Sequence, residues 1–167
     1  MLAKKRSPSA RLSNPRQGAV DAQPRGRTQA VFYRDAKGSE PVDAFLEGLL
    51  KTQPASAAKI DDAIEEHLNG RNPAAPPPEF PISSQIAGEL RELRVRFAST
   101  RYRVLYQRSR NLIILLHAFE KNTGAVPSRD RETAKRRMAD FQARMDAGGH
   151  PPPRAAGRDA PPKSRGR

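Results

Sequence analysis

The chain has no cysteine, which excludes a disulfide framework and thiolate-bound metals, and this fits a cytoplasmic protein. Its three histidines, His67, His117 and His150, are scattered, and no Asp/Glu/His cluster stands at ligand spacing. Neither a metal site nor another cofactor is therefore expected. No apolar run approaches the roughly 20 residues of a membrane span, so no membrane partner is expected. The basic start, MLAKKRSPSARLSNPRQ, lacks the apolar segment of a secretory signal, although transit peptides share its Arg/Ser bias. Acidic residues are few: 18 against 31 Lys and Arg, a formal charge of +13 over 167 residues.

That charge is unevenly spread. Residues 1–29 carry seven basic and one acidic side chain, and residues 148–167 carry five and one. Both ends are rich in Arg, Pro, Gly and Ser with few large apolar residues. Such compositions cannot bury enough surface to offset the entropy of ordering. The expected organisation is a disordered basic tail over 1–29, one domain over 30–147, and a disordered Pro/Arg-rich tail over 148–167. Within the middle, Glu89 to Arg110 holds seven arginines and two glutamates.

That stretch is the most informative in the chain. Leu93, Val95 and Phe97 alternate with Arg94 and Arg96, and Tyr102, Val104 and Tyr106 alternate with Arg101 and Arg103. Successive strand side chains point to opposite faces, so the pattern predicts two strands with one apolar and one cationic face. Leu112 to Leu116 is apolar throughout and predicts a more deeply buried third strand. Upstream, AVFYR at Ala30–Arg34 predicts a short strand, with Ser39 placed to cap the helix that follows. Val42, Phe45, Leu46, Leu49 and Leu50 recur at helical spacing. So do Ala57, Ile60, Ala63, Ile64 and Leu68 in a second helix from Pro54. Asn72 to Pro81 holds five prolines and reads as a stiff connecting loop. Ser128 is placed to cap a last helix with Ala134, Met138, Phe141 and Met145 on its buried stripe. The predicted class is α+β, in the order β-α-α-β-β-β-α. It implies a small, mostly antiparallel twisted sheet, an αα-hairpin on one face and a C-terminal helix.

GELRELRVRF, RYRVLYQ and LLHAFEKNTGAVP, in that order, resemble the RelE/ParE/HigB superfamily of toxin–antitoxin toxins, above all its HigB-like, phage-derived branch. Pro41-Val42-Asp43-Ala44-Phe45-Leu46 matches the opening of that family's first helix. The resemblance spans about residues 30–145 and implies a RelE-like domain. It further implies an mRNA endonuclease that works without metal on messages in the ribosome, neutralised by a helix-turn-helix antitoxin. Where the family commonly has two lysines, this chain has Lys121-Asn122, and Ala125 stands at a position that is often basic or polar.

RNA cleavage by attack of the 2′-hydroxyl needs a base, an acid and cations on the phosphate. Arg94 and Arg103 are the candidate cations, because a guanidinium can hold a phosphate through two parallel hydrogen bonds. Lys121 is a candidate base if neighbouring arginines depress its pKa, and His117 a candidate acid or base. Arg91, Arg96, Arg101 and Arg108 are candidate RNA contacts. Other roles stay open at this point. The arginines would also serve to solvate a sheet face or pair with Glu89 and Glu92, His117 suits a hydrogen-bonded core position, and Tyr102 and Tyr106 read as core. Two other functions compete: a ParE-like toxin that binds DNA gyrase and cuts nothing, and a non-catalytic relic that binds RNA or an antitoxin.

Overall fold

Alternation of apolar side chains at two periods builds the two layers of this protein. The computed structural model describes residues 26–122 and 124–161. The elements are β1 (Gln29–Phe32), α1 (Pro41–Thr52), α2 (Pro54–His67), β2 (Ser83–Ala87), β3 (Leu90–Phe97), β4 (Thr100–Ser109), β5 (Leu112–Lys121) and α3 (Ser128–Ala147). The strands form one five-stranded sheet in the order β1-β5-β4-β3-β2. β1 runs parallel to β5, and the other pairs are antiparallel. The architecture is thus mixed α+β, with three helices among the described residues. None of them is long and apolar enough to cross a membrane.

One strand was not anticipated. β2 (SSQIA) has no apolar alternation: it is an edge strand paired to β3, and its buried first residue is the polar Ser83. The order is therefore β-α-α-β-β-β-β-α. Ser39 does not cap α1: Glu40 is the N-cap, with no side-chain cap bond, and Pro41 is the first helical residue. Gln53 ends α1 and begins α2, since Pro54 cannot continue a helix.

The α1/α2 hairpin covers one face of the sheet. Val42, Leu46, Ile60 and Ile64 pack there on Phe32, Leu93, Tyr102, Val104 and Leu115. Tyr102 and Tyr106 are core residues, as expected, and their hydroxyls meet Gln53 Oε1 at 3.0 Å and Ser83 Oγ at 2.7 Å. Helix α3 covers part of the other face, where Ala134, Met138 and Phe141 meet Val31, Leu90, Leu105, Ile114 and Leu116. β1 and the first half of β5 are covered on both sides, which is why they read as unbroken apolar runs. Each large side chain buried here stabilises the fold by about 1.5–3 kcal/mol. Three residues of the expected apolar stripes are exposed: Leu50, Phe97 and Met145.

Described residues from both expected tails pack on the domain. Residues 1–25 of the expected N-terminal tail lie outside the described residues. Thr28, however, is buried, and its hydroxyl donates to the Leu68 carbonyl at 2.6 Å. At the other end, Ala155 bridges Val31 in antiparallel fashion along the free edge of β1. Ala156 joins the core. Arg154 reaches Glu40 at 3.1 Å and Asp43 at 2.8 Å, and its guanidinium lies 4.6 Å from the Phe32 ring centroid. These contacts seat residues 154–156, within the expected Pro/Arg-rich tail, against the domain.

Candidate functional site

Because α3 covers only the half of its face nearest the start of β5, the other half stays open. Cross-strand pairing arranges that half in rows. One row is Arg96, Arg101 and Lys121; the next is Arg94, Arg103 and Phe119. The third holds Glu92, Leu105 and His117, with Ser84 of β2 beside Glu92. Five cations thus surround one carboxylate.

Lys121 reaches this face through a β-bulge. Tyr106 pairs Leu115, but Leu105 pairs His117, leaving Leu116 as an extra residue in β5. Before the bulge, Ile113 and Leu115 face the α1/α2 hairpin; after it, His117, Phe119 and Lys121 face the arginines. A regular strand would have sent Lys121 to the opposite side. Arg137 of α3 donates to the Leu116 carbonyl at 2.8 Å and so satisfies a backbone acceptor within the bulge.

At the centre lies Glu92, 7% exposed. Its Oε1 is 2.7 Å from Arg103 Nε, and its Oε2 accepts the Ser84 hydroxyl at 2.8 Å and an Arg94 contact at 3.5 Å. The candidate cations therefore differ in kind. Arg103 is buried and occupied by Glu92, so it is not an open phosphate ligand as expected. Burial, with Arg94 and Arg101 nearby, holds its pKa below the ordinary value against the opposing carboxylate. Arg94 is half-buried at the rim, and its guanidinium lies 4.9 Å from the Phe80 ring centroid. Arg96 and Arg101 are exposed. Lys121 donates to the Gly124 carbonyl. Burial and the guanidinium groups of Arg103, Arg94 and Arg101 lower its pKa, while Glu92 opposes them.

His117 lies on the same face but is committed to α3. Its Nδ1 meets Arg137 Nη1 at 3.2 Å and its Nε2 meets Asp130 Oδ1 at 2.7 Å. A guanidinium only donates, so Nδ1 accepts and Nε2 carries the proton given to Asp130. Burial lowers the His117 pKa despite the Asp130 hydrogen bond, with Arg137 adding to the fall. Neither ring nitrogen is open to a substrate in this arrangement.

Two expected RNA contacts belong elsewhere. Arg91 and Arg108 lie on the hairpin-side face and donate to the Pro78 and Pro73 carbonyls, each at 2.7 Å. Arg71 does the same to Pro76. The proline loop has carbonyl acceptors and few amide donors, so it recruits arginines from whatever lies beneath it. The residue that sequence reading undervalued is Glu92, considered only as one partner in an ion pair. The signal was present in E-L-R: two positions apart, Glu92 and Arg94 must share a face.

The arrangement can hold an anion at the rim through Arg94, Arg96 and Arg101. Beneath them the Glu92–Arg103 pair fixes the layer from which Arg94 projects.

Comparison with known families gives a match to the family described as phage derived protein Gp49-like (DUF891), over residues 49–139. That span holds all eight residues singled out from the sequence and more than half of the chain. No curated protein is matched.

Proposed function

Since the chain belongs to the Gp49-like phage-derived family, a family of RelE/HigB-like toxin-type proteins, we propose that it is the toxin of a toxin–antitoxin module. Its proposed activity is metal-independent cleavage of mRNA, with a helix-turn-helix antitoxin as partner and the translating ribosome as the place where messages are met. One observation carries this reading. Three adjacent strands set Arg94, Arg96, Arg101 and Lys121 together on the sheet half that α3 leaves uncovered.

In the proposed reaction Arg94 and Arg101 hold the non-bridging oxygens of one phosphodiester. They meet the negative charge that grows there as the 2′-oxygen attacks. Lys121 in its neutral form receives the 2′-hydroxyl proton. Its lowered pKa favours that form, because burial and the neighbouring guanidinium charges penalise the ammonium. The O2′–P bond forms and the P–O5′ bond breaks, the leaving 5′-oxygen taking a proton from water, which gives a 2′,3′-cyclic phosphate and a new 5′-hydroxyl end. Arg103 does not touch the substrate in this scheme. It holds Glu92, which in turn positions Arg94.

The test is inducible expression followed by mapping of mRNA 5′ ends. Wild type should arrest growth and produce new 5′ ends. Arg94→Ala combined with Arg101→Ala should remove both effects, lowering cleavage by at least about a hundredfold. Growth arrest with intact messages and inhibited gyrase would overturn the nuclease reading in favour of a ParE-like toxin.

A further inference from the structure

Among the described residues, Phe80 is the most exposed large apolar side chain, at 71%. A lone exposed aromatic carries no argument by itself, since scattered apolar side chains are normal on protein surfaces. Phe80 differs in how it is held and in what lies beside it.

The ring sits on a hydrogen-bonded turn. The Ile82 and Ser83 amides donate to the Glu79 carbonyl at 3.0 and 3.2 Å. The Ile82 carbonyl in turn accepts the Arg94 amide at 2.8 Å. The backbone carrying Phe80 is thereby tied to the backbone carrying Arg94. The two side chains also meet, with the Arg94 guanidinium carbon 4.9 Å from the ring centroid. Such a cation–π contact steadies both groups. The ring is thus a fixed apolar surface at the border of the cationic rows, and most of it faces solvent.

A partner able to use both features carries an anionic group for Arg94 and a flat, polarisable group for Phe80, one next to the other. Single-stranded RNA repeats that pair at every nucleotide. A protein partner would ask for a broader apolar patch. The other exposed large apolar residues among those described, Leu50, Phe97 and Met145, come from α1, the β3–β4 hairpin and the end of α3. None comes from the segment around Phe80.

We propose that Phe80 is a base-stacking platform: its open ring face takes a nucleobase of single-stranded RNA beside the phosphodiester held by Arg94. This rests on the RNA-cleaving reading above and adds a residue that positions the strand for it. Stacking uses the π-face of any base, so the platform sets where the strand lies more than which base occupies it.

The chain contains no tryptophan, so Phe80→Trp introduces a single indole at the proposed platform. The probe is a short single-stranded RNA with 2′-O-methyl riboses, which lack the attacking hydroxyl and cannot be cut. With the full chain, Phe80→Leu should weaken binding about tenfold. Phe80→Trp should bind as wild type does, and its fluorescence should be quenched as RNA is added. Thermal melting of both variants should match wild type, because the side chain is not part of the core.

Wild-type affinity in Phe80→Leu, or an unquenched indole in Phe80→Trp that still binds RNA, would overturn the platform and leave the nuclease reading intact. Failure of the wild-type protein to bind the probe would overturn the platform, while the mapped mRNA 5′ ends decide the nuclease reading.

Discussion

Arg103 Nε lies 2.7 Å from Glu92 Oε1, and the two side chains are only 5% and 9% exposed. A buried ion pair is a poor source of net stability, but breaking one is costly because the survivor is left charged and unpaired. Arg103→Leu should therefore destabilise the domain by about 3 kcal/mol. Replacing Glu92 and Arg103 together by leucine should cost less than the sum of the two single changes. Urea unfolding of the four proteins in a double-mutant cycle measures the difference. Additive losses would mean the pair is not coupled as its geometry implies.

His117 gives the fold a pH dependence of known sign. Its folded-state pKa lies below the usual value of 6.5, chiefly through burial. As pH falls through about 6.5 the unfolded chain takes up a proton that the folded chain does not, so stability falls with pH. His117→Gln removes this contribution. The urea midpoint of the wild type should drop relative to that of His117→Gln between about pH 7.5 and about pH 5. A constant difference across that range would contradict the assignment.

The C-terminal segment should be held mainly by Arg154. Its guanidinium contacts Glu40, Asp43 and the Phe32 ring. The Phe32 amide donates to the Arg154 carbonyl at 2.9 Å, whereas the Tyr33 amide donates to Leu115 of β5 at 3.1 Å. Arg154→Ala should cost about 2 kcal/mol. In hydrogen exchange the Phe32 amide should lose protection while the Tyr33 amide keeps it. Equal loss at both would mean the whole of β1 depends on the segment.

Ala98 sits at the tip of the β3–β4 hairpin with φ +55°, in the left-handed region. Phe97 pairs Thr100 across a two-residue loop, a turn that asks for positive φ. A side chain there costs about 1–2 kcal/mol, part of which glycine gives back as unfolded-state entropy. Ala98→Gly should stabilise the domain by roughly 0.5–1 kcal/mol, read as a rise in melting temperature of a few degrees. Lower stability in this variant would show that the loop is not strained.

Much of this protein was legible because its signals are local. Alternation along Leu93–Phe97 and Tyr102–Tyr106 placed Arg94, Arg96, Arg101 and Arg103 on one face and the tyrosines in the core. Helical spacing found the three helices of the described residues. Alternation fails where every residue is apolar. Leu112 to Leu116 has no polar position to reveal a change of phase, so the bulge that turns Lys121 toward the arginines could not be seen. It exists through pairing with β4 and through Arg137, contributed by a helix far along the chain.

The same division holds across the site. The order of residues along the chain decided which side chains can share a strand face, since that follows from backbone geometry within a few residues. Only tertiary structure decided which of those cations remain available. Glu92 occupies Arg103, the proline loop engages Arg91 and Arg108, α3 holds His117, and Arg94, Arg96, Arg101 and Lys121 stay at the open rim. Those pairings join groups distant in sequence, and they form because a buried or crowded charge takes the nearest acceptor that the packed fold supplies.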